Sequence, residues 1–238
     1  MSYSTLALSL FFVFIPFILS KTLKLDLEKD TLIATVRSVI QLLILGFILQ
    51  FVFNADSTVY IVLMIFIMIT AATLNARKKG KGLKGITWKL VITIGSVEVV
   101  TQGVLLGLGI IPATPQYIIP ISGMLIGNSM VLSILFLNRF KAEVEAHDAE
   151  IELILSLGGT PRQAIHQSLI ASIKTSMVPV IESQKTIGLV QIPGIMSGQI
   201  IGGADPVVAV QFQILINFAL LTCATLSSII LGFLIYPT

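Results

Sequence analysis

The stretch "WKLVITIGSVEVVTQGVLLGLGII", Trp88 to Ile111, is longer than the roughly 20 apolar residues that cross a bilayer and carries one carboxylate, Glu98, near its middle. The whole chain has the same character. Of its 238 residues 55% are hydrophobic and 11% charged, with a mean hydropathy of +0.98, whereas a soluble domain carries about 25% charged residues. The composition therefore predicts an all-α polytopic membrane bundle, a single transmembrane domain over residues 1–238 with no length left for a soluble one.

Outward from Glu98, further apolar runs stand at Tyr3–Ser20, Val36–Phe53, Thr58–Asn75, Tyr117–Asn138, a broken one within Met177–Gly203, and Val207–Tyr236. With Trp88–Ile111 they make about seven expected crossings. Short uncharged or acidic connectors (Asn54–Ser57, Pro112–Gln116, Gly203–Pro206) alternate with longer charged ones (Lys21–Thr35, Ala76–Thr87, Arg139–Ser176). Of the 15 Lys and Arg residues all but Lys185 lie in or at the edge of the longer set. Because basic loops stay in the cytoplasm, the chain is expected to run N-out, C-in, as a multi-pass protein of the inner or plasma membrane. The segment before Lys21 lacks the basic start of a cleaved signal peptide. The basic loop "RKKGKGLKGITWK", Arg77–Lys89, reads as a topology determinant beside membrane lipid head groups, and its charge does not call for nucleic acid.

Arg139–Ser176 has the clearest local design. A polar helix from Ala142 turns apolar toward Leu157; Gly158 and Gly159 supply the left-handed residue of a helix C-terminus; Thr160 then caps a new helix with Pro161 at its first position. Such a helix, sharp turn and helix is something a peripheral motor can grip, since a short rigid element transmits force. Elsewhere "SGMLIG" (Ser122–Gly127) and "SGQIIG" (Ser197–Gly202) are faintly self-similar. Small residues four apart at Gly123/Gly127, Gly194/Gly198 and Gly198/Gly202 are expected to serve close helix packing, within one subunit or between two.

Three ionisable residues fall inside apolar runs: Glu98, Glu182 and Lys185. Charge at bilayer depth is costly, so it faces a bundle interior, pairs, or marks a transport path. Gln102 is one turn from Glu98 and shares its face. Glu182 and Lys185, three apart, are placed to pair. Two readings of "VIESQKTIGLVQIPG", Val180–Gly194, stay open: a protein-enclosed functional pair, or an interfacial anchor with the span proper at Ile187–Ile201. For a cation, Glu98 and Glu182 offer hard oxygen ligands suited to iron or a similar ion, while Lys185 would repel it unless paired.

Two strings carry a resemblance. "ELILSLGGTPRQA" resembles the cytoplasmic loop by which permeases of ABC transporters dock their ATPases. "ESQKTIGLVQIPGIMSGQIIGGADP", with "YIIPISGMLIGNSM" and "DLEKD", closely resembles the FetB-type permease family, associated with bacterial iron export and with plant aluminium tolerance. The resemblance covers about Leu25 to Ile230 and departs from the family's pattern at Glu182 and Ile195, where aspartate and methionine are common. It implies a permease subunit exporting metal ions, iron first. It also implies docking of a cytoplasmic ABC ATPase through Glu152, Leu157, Gly158, Gly159, Thr160, Pro161 and Arg162, a permease homodimer, and a substrate path past Glu98, Gln102, Glu182 and Lys185.

Other chemistries are poorly supported. No G-x-x-x-x-G-K followed by Ser or Thr is present, so a phosphate-cradling loop is missing and ATP would be used by a partner, with no cofactor on this chain. His147 and His166 stand in the charged loop as expected surface residues, with no pairing suited to hydrolysis. Cys223, alone, reads as packing. The chain is thus expected to be a transport subunit and not an enzyme, the alternative being an ion-coupled transporter or channel with Glu98 as its intramembrane cation or proton site.

Overall fold

The computed structural model describes residues 11–55, 57–80 and 82–236, which form two compact units divided after Ser57. In the first, α1 (Phe11–Leu23) and α2 (Glu28–Ala55) are joined by a tight turn in which Lys24 and Asp26 take positive φ. Ser20 closes that turn. Its hydroxyl donates to Glu28 Oε1 at 2.9 Å and accepts the Leu27 N–H at 3.1 Å. Glu28 and Asp30 in the first turn of α2 suit the positive end of the helix dipole. The helix consequently begins at Glu28, so most of the expected connector Lys21–Thr35 is helical. The expected first crossing, from Tyr3, lies outside the described residues as far as Leu10.

The second unit contains α3 (Thr58–Ala76), α4 (Ile86–Gly107), α5 (Pro115–Ala146), α6 (Asp148–Ser156), α7 (Pro161–Ala164), α8 (His166–Thr186), α9 (Gly194–Ile201) and α10 (Pro206–Ile235). Helix α5 is central, packed against α3, α4, α8 and α10, and α10 in turn holds α9. One core cluster, around Leu90, Phe136, Phe140, Leu169 and Leu231, fills one end of the unit. A second, around Val97, Leu105, Leu125, Ile216 and Cys223, is enclosed by α4, α5 and α10.

Five helices, α2, α3, α4, α5 and α10, are long and apolar enough to cross a membrane, and α1 is a shorter apolar one. The expected sixth crossing is not one helix. Helix α8 runs antiparallel to α10, with Leu169 beside Leu231 in one core cluster, Ser176 bonded to Ser228 at 3.0 Å and Gln184 donating to the Asn217 carbonyl at 3.0 Å. It stops at Thr186, residues 187–193 form a turn, and α9 continues alongside α10. Gly188, at φ +83°, takes the left-handed conformation that the turn needs.

The ends of this unit differ in charge. Lys79 on the α3–α4 turn and Lys141 on α5 line the same surface pocket, and Arg162 stands over Tyr236 at the end of α10. The turns at 108–114 and 202–205, at the opposite ends of these helices, contain no Lys or Arg. The charge asymmetry of the loops is therefore an asymmetry of the folded unit.

Candidate functional site

Glu98 is only 3% exposed and Gln102 6%. Helix α4 presents both to α5 and α10, where Ser122 and Cys223 lie beside the carboxylate. No partner stands within 3.5 Å in hydrogen-bonding geometry of either Glu98 oxygen, either Gln102 amide atom or the Ser122 hydroxyl among the described residues, although Ser122 and the Glu98 carboxylate are close enough to interact. Burying an unsatisfied polar group costs about 1–3 kcal/mol, and a buried charge costs more. Packing alone gives no reason for this cluster. Sequence reasoning placed Glu98 and Gln102 on one face; Ser122, supplied by α5, it did not foresee as their neighbour.

Glu182 and Lys185 do pair, Nζ to Oε1 at 2.6 Å, and both side chains are about 60% exposed (59% and 62%). The face of α8 that turns inward at this level is carried by Gln184, through its bond to Asn217. Asn217 stands roughly 16 Å along α10 from Pro206 at about 1.5 Å per residue. Ile187–Ile201 is a turn followed by a short helix and not the continuous span expected of it, and the exposed Glu182–Lys185 pair is not enclosed by the described residues. Glu98 is enclosed among α4, α5 and α10 while Glu182 is exposed on α8, so the two carboxylates do not share a cavity within one chain. No three His, Cys, Asp or Glu side chains gather among the described residues.

The corner after α6 forms as its sequence dictates. Gly158 N–H donates to Leu155 O at 3.0 Å and Gly159 N–H to Ile154 O at 2.9 Å, the paired bonds of a Schellman motif. Gly158 has φ +85°. At Gly159 a Cβ would meet Ile154 Cγ2 at 2.5 Å and Ile154 O at 2.7 Å, so both glycines are required. Thr160 and Gln163 then form a capping box, Gln163 N–H to Thr160 Oγ1 at 3.3 Å and Thr160 N–H to Gln163 Oε1 at 2.8 Å, with Pro161 in the first turn. Glu152, Pro161 and Arg162 are exposed, and Leu157 is 79% exposed. The expected single helix from Ala142 to Leu157 is divided at His147, where α5 ends and α6 begins.

One feature of the corner was not legible beforehand. The Arg162 guanidinium lies 4.8 Å from the centre of the Tyr236 ring, and His166 Nδ1 bonds the Tyr236 hydroxyl. The last turn of α10 is thereby tied to the corner. His166 is exposed as expected but engaged; His147 is also exposed and lies 3.7 Å from Glu143 Oε2. Of the two expected uses of the small-residue pairs, only packing within one subunit can be read from this chain. A Cβ on Gly127, Gly194 or Gly198 would meet nothing within 4 Å and one on Gly202 only carbonyls of its own helix, so these four mediate no close packing between helices of the chain, while one on Gly123 would meet Met68 of α3 at ordinary van der Waals distance. Serines do that work instead. Ser227 donates to Ser129 at 2.7 Å between α10 and α5, and Ser176 and Ser228 bond between α8 and α10.

Fold and site together define a multi-pass α-helical membrane protein with a polar cluster buried inside its bundle and a rigid capped corner at its basic end. The chain belongs to the family described as Uncharacterised protein family (UPF0014), which it matches over residues 3–238. It is 52% identical to the UPF0014 membrane protein YjkA of Bacillus subtilis (strain 168), over 100% of this chain and 95% of that one. It is 39% identical to the probable iron export permease protein FetB of Escherichia coli (strain K12), over 98% and 90%, and 34% identical to protein ALUMINUM SENSITIVE 3 of Arabidopsis thaliana, over 98% and 85%. No solved structure matches it. The relatives and the apolar helices agree on a multi-pass protein of the cell membrane.

Proposed function

We propose that this chain is the membrane-spanning permease subunit of an ABC transporter that exports metal ions, iron first, driven by ATP hydrolysis on a separate cytoplasmic ATPase. The observation that carries the reading is the corner at Leu157–Arg162. Its Schellman motif and capping box make it rigid, its exposed Leu157 offers an apolar contact, and Arg162 and His166 fasten it to α10 through Tyr236. A partner that moved this corner would move a membrane helix with it. Glu152, Leu157, Gly158, Gly159, Thr160, Pro161 and Arg162 are the docking residues, and the basic end is the cytoplasmic end.

Metal export is supported by the printed name of the Escherichia coli relative and by the oxygen donors of Glu98, Gln102 and Ser122 inside the bundle, a hard set suited to such a cation. Two permease chains and two ATPases form the assembly, in membrane lipid. The deciding measurement is metal flux in vesicles carrying this chain with and without its ATPase; export that requires both and ATP is expected, and flux indifferent to ATP would refute the reading. The orphaned burial of Glu98 also favours a second reading, an ion-coupled transporter or channel. Flux that follows an ion gradient without the ATPase and vanishes in Glu98→Gln would select it.

A further inference from the structure

The α3–α4 turn is more ordered than an orientation signal requires. Positive charge alone is enough to hold a loop in the cytoplasm. Here the backbone is also tied down, by Lys79 N–H to Ala76 O at 3.1 Å, Gly80 N–H to Arg77 O at 3.2 Å and Leu83 N–H to Gly80 O at 3.2 Å. Gly80 is buried without room for a side chain, since a Cβ would meet Ile86 Cγ1 at 2.5 Å. Leu83 packs on the core cluster that holds Leu137 and Phe140. The turn is thereby fixed against α5, and a cavity of about 220 Å³ lies between them. Leu83, Leu137 and Phe140 give it an apolar wall, and Lys79, Lys141 and Glu145 supply its charges. Those charges are not balanced within the chain. No Asp or Glu stands between Asp56 and Glu98. Glu145 pairs with Lys141 at 3.8 Å, while Arg77, Lys78, Lys79 and Lys84 take part in no ion pair among the described residues.

We infer that this cavity binds the phosphate of an anionic phospholipid from the adjoining leaflet, shared between the Lys79 and Lys141 ammoniums, with the glycerol end of the lipid against Leu137 and Phe140. Charge complementarity selects an anion, and the apolar wall selects one with an apolar body. Position agrees. Helix α3 is a candidate span of 19 residues, roughly 28 Å at about 1.5 Å per residue, which matches a hydrocarbon core of about 30 Å. The turn that follows it directly therefore begins where hydrocarbon gives way to head groups. Trp88, 68% exposed in the first turn of α4, is of the type enriched at that level. The cavity is smaller than the roughly 300–1,000 Å³ that encloses a small molecule whole, so it suits one end of a larger ligand. Basic pockets between spanning helices at the cytoplasmic side are known to take anionic head groups. An acidic protein surface would answer the charge, but it would approach from water and leave unused a wall that belongs to the spanning helix α5. The inference stands apart from the export reading and needs neither the ATPase nor the metal.

Trp88 is the chain's single tryptophan and serves as the reporter. The full chain is reconstituted in phosphatidylcholine bilayers containing a minor fraction of bromine-labelled phosphatidylglycerol or, in parallel, bromine-labelled phosphatidylcholine. Quenching of Trp88 then gives the preference for the anionic lipid. Phosphatidylglycerol is expected to be preferred. Lys79→Gln with Lys141→Gln should lower the preference by about fivefold per lysine, up to about 30-fold for both, and Lys79→Arg with Lys141→Arg should keep it. Lys21→Gln with Lys29→Gln, which removes the same charge from the first unit, should leave it within about twofold of its starting value. Glu145→Gln keeps every lysine in place and frees Lys141, so it should raise the preference by up to about fivefold, whether or not the double lysine variant folds. Equal quenching by the two lipids, equal losses in the two double glutamine variants, or no rise in Glu145→Gln would overturn the inference. Relief of the quenching by glycerol phosphate, but not by sulfate at the same ionic strength, would give the cavity to a soluble phosphate and overturn it as well. Lipid preference kept in Lys79→Gln with Lys141→Gln while ATPase co-purification is lost would make this face a protein-docking surface instead.

Discussion

Replacing Gly159 by alanine tests whether the corner acts through its rigidity. The new Cβ would stand 2.5 Å from Ile154 Cγ2 and 2.7 Å from Ile154 O, and that oxygen is the acceptor of the Gly159 N–H. A methyl rotation cannot relieve a contact with backbone, so the chain must swing away, breaking the Gly159–Ile154 and Gly158–Leu155 bonds together. At roughly 1 kcal/mol for each hydrogen bond the ordered corner loses about 2 kcal/mol, or about 30-fold in its equilibrium with a frayed one. Because α6 is mostly exposed, global stability should change far less. Amide hydrogen exchange over 157–160 is expected to accelerate by up to that factor. Apparent affinity for the ATPase, measured by co-purification at graded concentrations, is expected to fall by up to the same factor, since only the ordered state docks. Unchanged exchange would refute the reasoning about the turn, and faster exchange with undiminished docking would refute the corner's role.

Three further outcomes are expected. Glu98→Gln should abolish metal flux in vesicles while leaving ATPase co-purification intact; undiminished flux would remove Glu98 from the path. Tyr236→Phe should keep the stacking on Arg162 and lose only the bond to His166, whereas Tyr236→Ala loses both, the stacking contributing about 0.5–1 kcal/mol at an exposed site. ATP-driven flux should therefore fall further in Tyr236→Ala than in Tyr236→Phe, and equal flux in the two would refute the tie between α10 and the corner. Ser227→Leu inserts extra bulk where Ser227 and Ser129 meet at 2.7 Å, and overpacking of about 1–3 kcal/mol should lower the detergent-solubilised melting temperature. An unchanged melting temperature would show that this seam tolerates separation.

Much of this protein can be read without coordinates, for reasons of local chemistry. Hydropathy alone locates α2, α3, α4, α5 and α10, because in a bilayer a long apolar run has no alternative to a helix that satisfies its own backbone. The corner at Gly158–Pro161 is equally local. A left-handed glycine, a Thr cap and a following proline act within a few residues, so the string specifies its own geometry. The resemblance to a family, too, is carried by strings such as "KTIGLVQIPG", and the family matches over residues 3–238. Helix boundaries were less legible: α2 begins at Glu28 through a hydrogen bond from Ser20, eight residues earlier, and α5 runs on to Ala146 through charged residues that hydropathy assigns to a loop.

What tertiary structure alone decided is which polar groups meet. Sequence spacing puts Gln102 near Glu98 and Lys185 near Glu182, since neighbours on one helix are fixed by its pitch. It does not say that Glu98 is enclosed beside Ser122 and Cys223 while Glu182 is exposed. That follows from how α4, α5, α8 and α10 rotate about their axes when they pack. Nor does it give the contact from Gln184 to Asn217 that sets α8 against α10, or the link from Arg162 and His166 to Tyr236 near the other end of the chain. Periodicity specifies the helices one by one because each satisfies its own backbone. The buried polar cluster and the tie between α10 and the corner arise between helices, from side chains distant in sequence that only the packed bundle brings together.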